Sequence, residues 1–477
     1  MKVLHSSIVA WATILLALAL GCNEPVRRPN FIVVMTDDQR WDEVEYMPSV
    51  VARLAGEGVT FANSFVATPL CCPARASFLS GLYTHHHGID RLGGAPLLDT
   101  RYTIAVWLAQ AGYTNALIGK YLNDNGKVRN PPPGWNRWRT FADFFTSFQG
   151  RYAYFGYLMN HDGRYVQYGG EPHEYSTDVL REMAIEFIRE NAERPFFLFF
   201  APFAPHAPAV PAPRHVGAFA GLEHPRAPGP READLSGKPG YVRHAQESIG
   251  SNSPENLALY DAQVAAKRIG MLESLLAVDE AVAALLDLLD ELGLADDTLV
   301  VFTSDNGEME DEHWLVGKTV PYEESIRVPL LIRYPRVVPV ARVQEQLVVN
   351  IDLAPTLLEL AGAPIPERID GVSLVPLLED PDAGFREDFL IEFLRPALDR
   401  PPYVGVRSQR WKYIRNDSDP VFEELYDLAA DPRELDNRLV SAPDDPEVRT
   451  AAEHLRGRVA DLRPVEPERR RPPGRRN

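Results

Sequence analysis

Four apolar runs set the tightest limit on what this chain can become. NFIVVM (residues 30–35), TNALIG (114–119), PFFLFFAPFAP (195–205) and DTLVVFTS (297–304) are continuous in hydrophobicity rather than alternating. That is the pattern of strands buried on both faces of a parallel sheet. Helical patterns lie between them: TIAVWLAQAG, then STDVLREMAIEFIREN with its Ser/Thr start, then LESLLAVDEAVAALLDLLDELG closed by glycine. Strands alternating with helices predict an α/β fold built on a large, mostly parallel sheet. Each run also ends on polar residues: Asp37 and Asp38, Lys120, His206, and Asp305 with Asn306. Ligands of open α/β sheets gather beyond the carboxyl ends of the strands. Any one of these residues alone is an ordinary turn residue; four such ends together predict one assembled site.

The remaining sequence divides by composition. Residues 1–22 hold one lysine near the start, the apolar run IVAWATILLALAL and then Gly21-Cys22. The run is short for a membrane span and has the layout of a secretory signal. Its end, Ala19-Leu20-Gly21-Cys22, resembles a bacterial lipoprotein signal with leucine one place early, in which Cys22 carries lipid. The expected location is therefore the periplasm or cell surface, with contact to membrane only through that lipid. From about residue 207 to 254 the chain turns to Pro, Gly, His and Arg with little periodicity, as an inserted loop near the site does. Residues 28–384 are expected to form the catalytic domain. Residues 385–463 are expected to form a smaller α+β unit, with a hairpin in YVGVRSQRWKYIRN and a helix in PEVRTAAEHLRGRVADL. The tail over 464–477 is basic and proline-rich, a disordered composition. The formal net charge of -18 argues against nucleic acid as a partner.

Cysteine supplies the sharpest signal. With Cys22 set aside, only the adjacent Cys71 and Cys72 remain, so the chain has no disulfide framework. Pro73 suits the first turn of a helix and Gly81 its end, which places the cysteines at a helix N-terminus. Arg75 follows Cys71 by about one turn. A packed helix start accounts for this pattern; so does a site for an anionic substrate.

Cys71-Cys72-Pro73-Ala74-Arg75, continued by ASFLSGLYTHHHG, resembles the C-x-P-[S/A]-R signature of type I sulfatases. TDDQ, GKYLN, the His206 segment and TSDNG extend the resemblance over nearly the whole mature chain, nearest to the N-acetylglucosamine-6-sulfatase and heparan-endosulfatase branch. The resemblance implies an alkaline-phosphatase-like fold with an antiparallel sheet in the C-terminal unit. It implies that a maturation enzyme converts Cys71 to formylglycine (3-oxoalanine), with Cys72 the variable position. A hydrated aldehyde has two hydroxyls on one carbon: one attacks sulfur, and deprotonation of the other ejects sulfate. By the same resemblance Arg75 and Lys120 hold the nucleophilic oxygen, while His206 and Lys318 contact the sulfate. His206 is expected to protonate the leaving oxygen, since its free pKa lies nearest neutrality.

Asp37, Asp38, Asp305 and Asn306, with the converted Cys71, form an oxygen-rich ligand set suited to Ca²⁺ or Mg²⁺. His85 and His87, and more distantly His313, are candidates for the substrate rim; adjacent histidines in an extended loop point apart, so the run 85–87 is not expected to share a metal. One departure stands out. Many relatives carry histidine two places after the lysine of GKYLN, where this chain has Leu122. The substrate expected is a sulfated carbohydrate. A phosphonate or phosphate ester hydrolase of the same superfamily and a catalytically silent glycan-binding protein are the alternatives; matched aryl sulfate and phosphate esters separate the first, and absence of any turnover marks the second.

Overall fold

The computed structural model describes residues 28–123, 128–142, 152–222, 231–250, 253–396 and 400–463. The expected signal with Cys22 and the expected disordered tail lie outside these residues. The four apolar runs form neighbouring strands at the centre of a ten-stranded sheet. Its order is 342–344, 59–61, 330–333, 298–304, 30–36, 196–201, 114–119, 137–141, 158–161, 164–167. Strands 298–304, 30–36, 196–201, 114–119 and 137–141 pair in parallel. Antiparallel strands flank this centre on both sides: 330–333 beside 298–304, and 158–161 beside 137–141.

Side chains alternate across the sheet, so each strand feeds two cores. Phe31, Val33, Met35, Leu117, Phe197, Phe199 and Val301 face one side, against the Ile104–Gln110 and Leu353–Leu360 helices. Ile32, Val34, Ile118, Phe196, Leu198, Phe200 and Phe302 face the other, against the Ser176–Glu190 and Pro254–Glu291 helices. Burial on both sides is why the runs are continuously apolar.

The C-terminal part carries its own antiparallel sheet of strands 388–393, 403–408, 411–416 and 422–427, crossed by the Pro446–Leu462 helix. Its core is shared with the larger body: Phe389, Tyr413 and Leu425 pack in one cluster with Phe65, Tyr322 and Ile326. Two local expectations need correcting. The stretch 207–254 contains an α-helix, Gly240–Gly250, rather than irregular chain throughout. The long helix starts at Pro254, not near 272, with Pro254 in its first turn and the Ser253 side chain accepting a hydrogen bond from the Asn256 N–H. Its first turns are too polar for periodicity to reveal.

Candidate active site

The carboxyl ends of four adjacent strands deliver the expected residues to one place. Strand 30–36 ends in Asp37 and Asp38, strand 298–304 in Asp305 and Asn306, strand 114–119 in Lys120, and strand 196–201 leads to His206. The backbone is specialised to do this. Gly119 has φ of 119°, and a Cβ there would lie 1.9 Å from the Ala201 carbonyl oxygen, so only glycine lets Lys120 turn over the strand end. Asp38 itself has φ of 67°, a left-handed conformation unusual for a residue other than glycine and often found where a site constrains the chain.

The Cys71–Ser80 helix packs against this edge with every residue buried, and Gly81 closes it at φ of 69°. Cys71 is 1% exposed, at the helix N-terminus. Burial pushes its thiol pKa up, against the opposing pull of Lys120 and Lys318. It therefore remains a thiol and lacks the lowered pKa of a reactive cysteine nucleophile. Cys72 faces the core, its pKa raised to about 12 by burial and by Cys71 beside it. The pair thus divides into one residue for the site and one for packing.

Arg75 ties the strand ends together. Its Nε donates to Asp305 Oδ2 at 2.6 Å and one terminal nitrogen donates to the Lys120 carbonyl at 2.8 Å. Lys120 Nζ pairs with Asp37, and Lys318 Nζ pairs with Asp38. Burial alone would raise the pKa of Asp38, but Lys318, His206 and Lys120 together hold it well below the usual carboxylate range. Two oxygens in this group have no hydrogen-bond partner although buried: Asp37 Oδ1 and Asn306 Oδ1. Asn306 Nδ2 donates to Asp38 Oδ1 at 2.7 Å, which fixes its amide with the oxygen turned away. Orphaned oxygens beside clustered carboxylates fit a hard cation. Ligand atoms of Asp37, Cys71 and Asp305 lie within 4.8 Å of one another, as do those of Asp37, Asp38 and His206.

His206 Nδ1 lies 2.6 Å from the Ala207 carbonyl, so Nδ1 carries a hydrogen and Nε2 faces Asp38 Oδ2 at 3.5 Å. Desolvation takes its pKa down to about 4, although Asp38 pulls upward. The free-histidine value behind the expected role does not carry over. An anion bound beside the ring raises its hold on a proton again.

The three rim candidates sit differently. Residues 84–87 form a short helix rather than an extended loop. His87 accepts from the Ile89 N–H at Nδ1 (3.0 Å), so Nε2 is the nitrogen that bears hydrogen, 3.0 Å from Ser77 Oγ. Both nitrogens are engaged inside the protein. His85 Nδ1 meets Glu392 at 2.9 Å, and its Nε2 has no partner. His313 is 1% exposed and held by Glu232 at 2.6 Å. Tyr154, whose hydroxyl donates to the His206 carbonyl at 2.8 Å, and Asn123, 3.2 Å from Cys71 Sγ, were not legible as site residues. Asn123 stands in the GKYLN segment, and its contact with Cys71 is a product of folding alone.

His87 yields a pH prediction. Burial lowers its pKa from 6.5 to about 3, so between those values the unfolded chain holds a proton that the native state does not. Stability is fully present above pH 6.5 and falls on acidification toward 3, by about 1.4 kcal/mol per pH unit from this group. His87→Gln is expected to flatten that part of the stability–pH curve, measured by denaturant melts from pH 7 to 4; an unchanged slope overturns it.

Residues 29–363 match the family described as Sulfatase. The chain belongs to the sulfatase family. Residues 311–464 of this sulfatase also match the family described as N-sulphoglucosamine sulphohydrolase, C-terminal. It is 30% identical to the N-acetylglucosamine-6-sulfatase of Homo sapiens, over 90% of this chain and 84% of that one. It is 28% identical to the N-acetylglucosamine-6-O-sulfatase of Bacteroides thetaiotaomicron, over 89% of this chain and 87% of that one. A likeness at 32% identity to the extracellular sulfatase SULF-1 homolog of Drosophila melanogaster covers 77% of this chain but spans only 33% of that protein. Among solved structures, one in complex with its substrate D-glucosamine-2-N,6-O-disulfate superposes with a TM-score of 0.77 at 27% identity, covering 93% of this chain and 100% of that one. A phosphonate monoester hydrolase of Agrobacterium radiobacter shares the fold, with a TM-score of 0.70 at 24% identity over 91% of this chain and 96% of that one. The alkaline-phosphatase-like architecture expected from the sequence is therefore the one observed.

Proposed function

We propose that this sulfatase hydrolyses a sulfate ester of a carbohydrate, of the glucosamine-6-sulfate kind, through formylglycine made from Cys71 and with a bound Ca²⁺ or Mg²⁺. The observation that carries the reading is the convergence of Cys71, Arg75, Lys120, Lys318, His206 and four metal-type ligands on one sheet edge. Relatives named for N-acetylglucosamine 6-sulfate, and the neighbour complexed with a glucosamine disulfate, support the sugar class.

The chain's own residues have these roles. Asp37, Asp38, Asp305 and Asn306 hold the cation, with the side chain of residue 71 as a further ligand. That cation, when bound, polarises sulfate oxygens and lowers the pKa of the nucleophilic hydroxyl. Arg75 and Lys120 fix the strand ends and put positive charge beside residue 71. Lys318 and His206, both against Asp38, would contact the sulfate, with Lys318 supplying the positive charge. His206 gives a proton to the departing alcohol oxygen once the bound anion has raised its pKa. His85, backed by Glu392, belongs to the rim. Export, with lipid on Cys22, completes the reading.

The test is a mass spectrum of the tryptic peptide 54–75 from protein made in a host able to modify it. An aldehyde at position 71 with Cys72 still alkylatable is expected; two free thiols overturn the mechanism and favour the silent binder. A higher kcat/KM for an aryl phosphonate than for the matched aryl sulfate favours the phosphonate hydrolase instead. Chelation is expected to abolish turnover and Ca²⁺ to restore it. Cation at a hundred times its Kd is expected to stabilise the fold by about 2.7 kcal/mol, read as a rise in Tm. Full activity after exhaustive chelation overturns the metal assignment.

A further inference from the structure

The histidine that many relatives place two residues after the active-site lysine is Leu122 here, and Leu122 takes no part in the site. It is fully buried in the core with Tyr121 and Trp138. The next residue turns the other way. Asn123 is 5% exposed, and its Oδ1 lies 3.2 Å from Cys71 Sγ. A carbonyl oxygen can only accept, so the thiol hydrogen points at Asn123. No other side chain hydrogen-bonds Cys71 among the described residues.

The sulfur stands in for an oxygen carried on the same Cβ after conversion to formylglycine. Of the two oxygens a hydrate carries, one would join Asp37, Asp305 and the cation; the other would keep the contact that the sulfur now makes with Asn123. We propose that Asn123 Oδ1 holds this second hydroxyl, the one that does not attack. The inference rests on the formylglycine reading. A neutral carboxamide is too weak a base to keep a proton; its task is to orient the O–H so that its loss is aligned with release. In that release the proton passes to water, the O–H pair becomes the C=O bond, and the C–O bond to sulfate breaks with its pair on sulfate. A side chain that serves only this step leaves ester cleavage intact when removed, so kcat and KM fall together while kcat/KM holds.

The experiment compares wild type, Asn123→Ala and Asn123→Asp, each with the aldehyde at position 71 first verified by mass. Each is mixed with an aryl sulfate, acid-quenched and digested. In Asn123→Ala, peptide 54–75 is expected to gain the mass of one SO₃ over its hydrate, that of one H₂SO₄ over its aldehyde, alcohol is released in a burst of one equivalent, and kcat falls about 100-fold with KM in parallel. Asn123→Asp keeps an acceptor oxygen in the same place and is expected to turn over without the added mass. A merely structural role lowers kcat/KM and gives no added mass. If the aldehyde is present and Asn123→Ala shows neither burst nor SO₃, the Asn123 role is overturned while the formylglycine reading stands. If wild type carries thiol at 71, the reading beneath it has failed.

Discussion

Replacing Cys71 by alanine is expected to cut sulfate-ester turnover by about 10⁴-fold or more while leaving the protein folded. The change removes only what Cβ of residue 71 carries, at the start of a fully buried helix whose main-chain and packing contacts remain. Its cost to stability is therefore within about 1 kcal/mol, the scale of one buried methyl-sized group. The catalytic loss is large because nothing else in the site can attack. Asp37, Asp38 and Asp305 are committed to lysine, arginine and one another, and Lys120 and Lys318 are held protonated, their pKa values raised by these carboxylates against the effect of burial. What survives is electrostatic binding of the ester, which by itself accelerates little. Steady-state rates on an aryl sulfate, beside a thermal melt of the same sample, check both halves. Turnover within about tenfold of wild type would remove Cys71 from the centre of the mechanism.

The largest stability effect is expected away from the site. Lys412, fully buried, meets Glu323 Oε1 at 2.8 Å, Glu434 Oε1 at 2.7 Å and the Pro321 carbonyl at 3.1 Å. It comes from the C-terminal sheet, Glu323 from the segment just after Lys318. Burial opposes ionisation of both glutamates, yet the shared ammonium holds Glu323 down at about 2 while Glu434 stays up at about 7. Lys412→Ala leaves that pair buried without its cation, and breaking such a pair costs about 3–5 kcal/mol. Denaturant titration measures it. Lys412→Met with Glu434→Gln is expected to recover much of the loss, since Glu323 keeps the Arg407 guanidinium at 3.5 Å as its partner and no carboxylate is left without a cation. A single-substitution loss under about 1 kcal/mol would mean water reaches this cluster.

Much of this was visible before folding was considered. The central strands announced themselves because burial on both faces leaves no room for alternation, and the residues at their ends had to meet once the strands were adjacent. The cluster around Arg40 did not. Arg40 bonds Glu312 at 2.9 Å and the Glu308 carbonyl at 2.9 Å, while Arg268 pairs with Glu310. In sequence EMEDEH is a charge run of the kind that usually faces solvent; here partners from two distant segments take it inside. The first turns of the Pro254–Glu291 helix escaped for a related reason, because polar contacts such as Lys267 with Glu308 hold them rather than an apolar stripe. Asn123 escaped because its meaning is its distance from Cys71, which only tertiary structure sets.

The burial of Cys71 also imposes a deadline. The helix that carries it is locked down by residues made much later: Arg75 by Asp305, and the Ala74 carbonyl by Asn350 Nδ2 at 3.0 Å. Asn350 is made 275 residues after Arg75. At about 5–20 residues per second, that is roughly 14–55 s during which the segment is made but its lock is not. Any enzyme that must grip this stretch in extended form works inside that interval. On the formylglycine reading proposed above, a molecule that closes first is expected to keep its thiol and not to turn over substrate. The active fraction of a preparation is then decided by a race between two rates rather than by how well the protein folds.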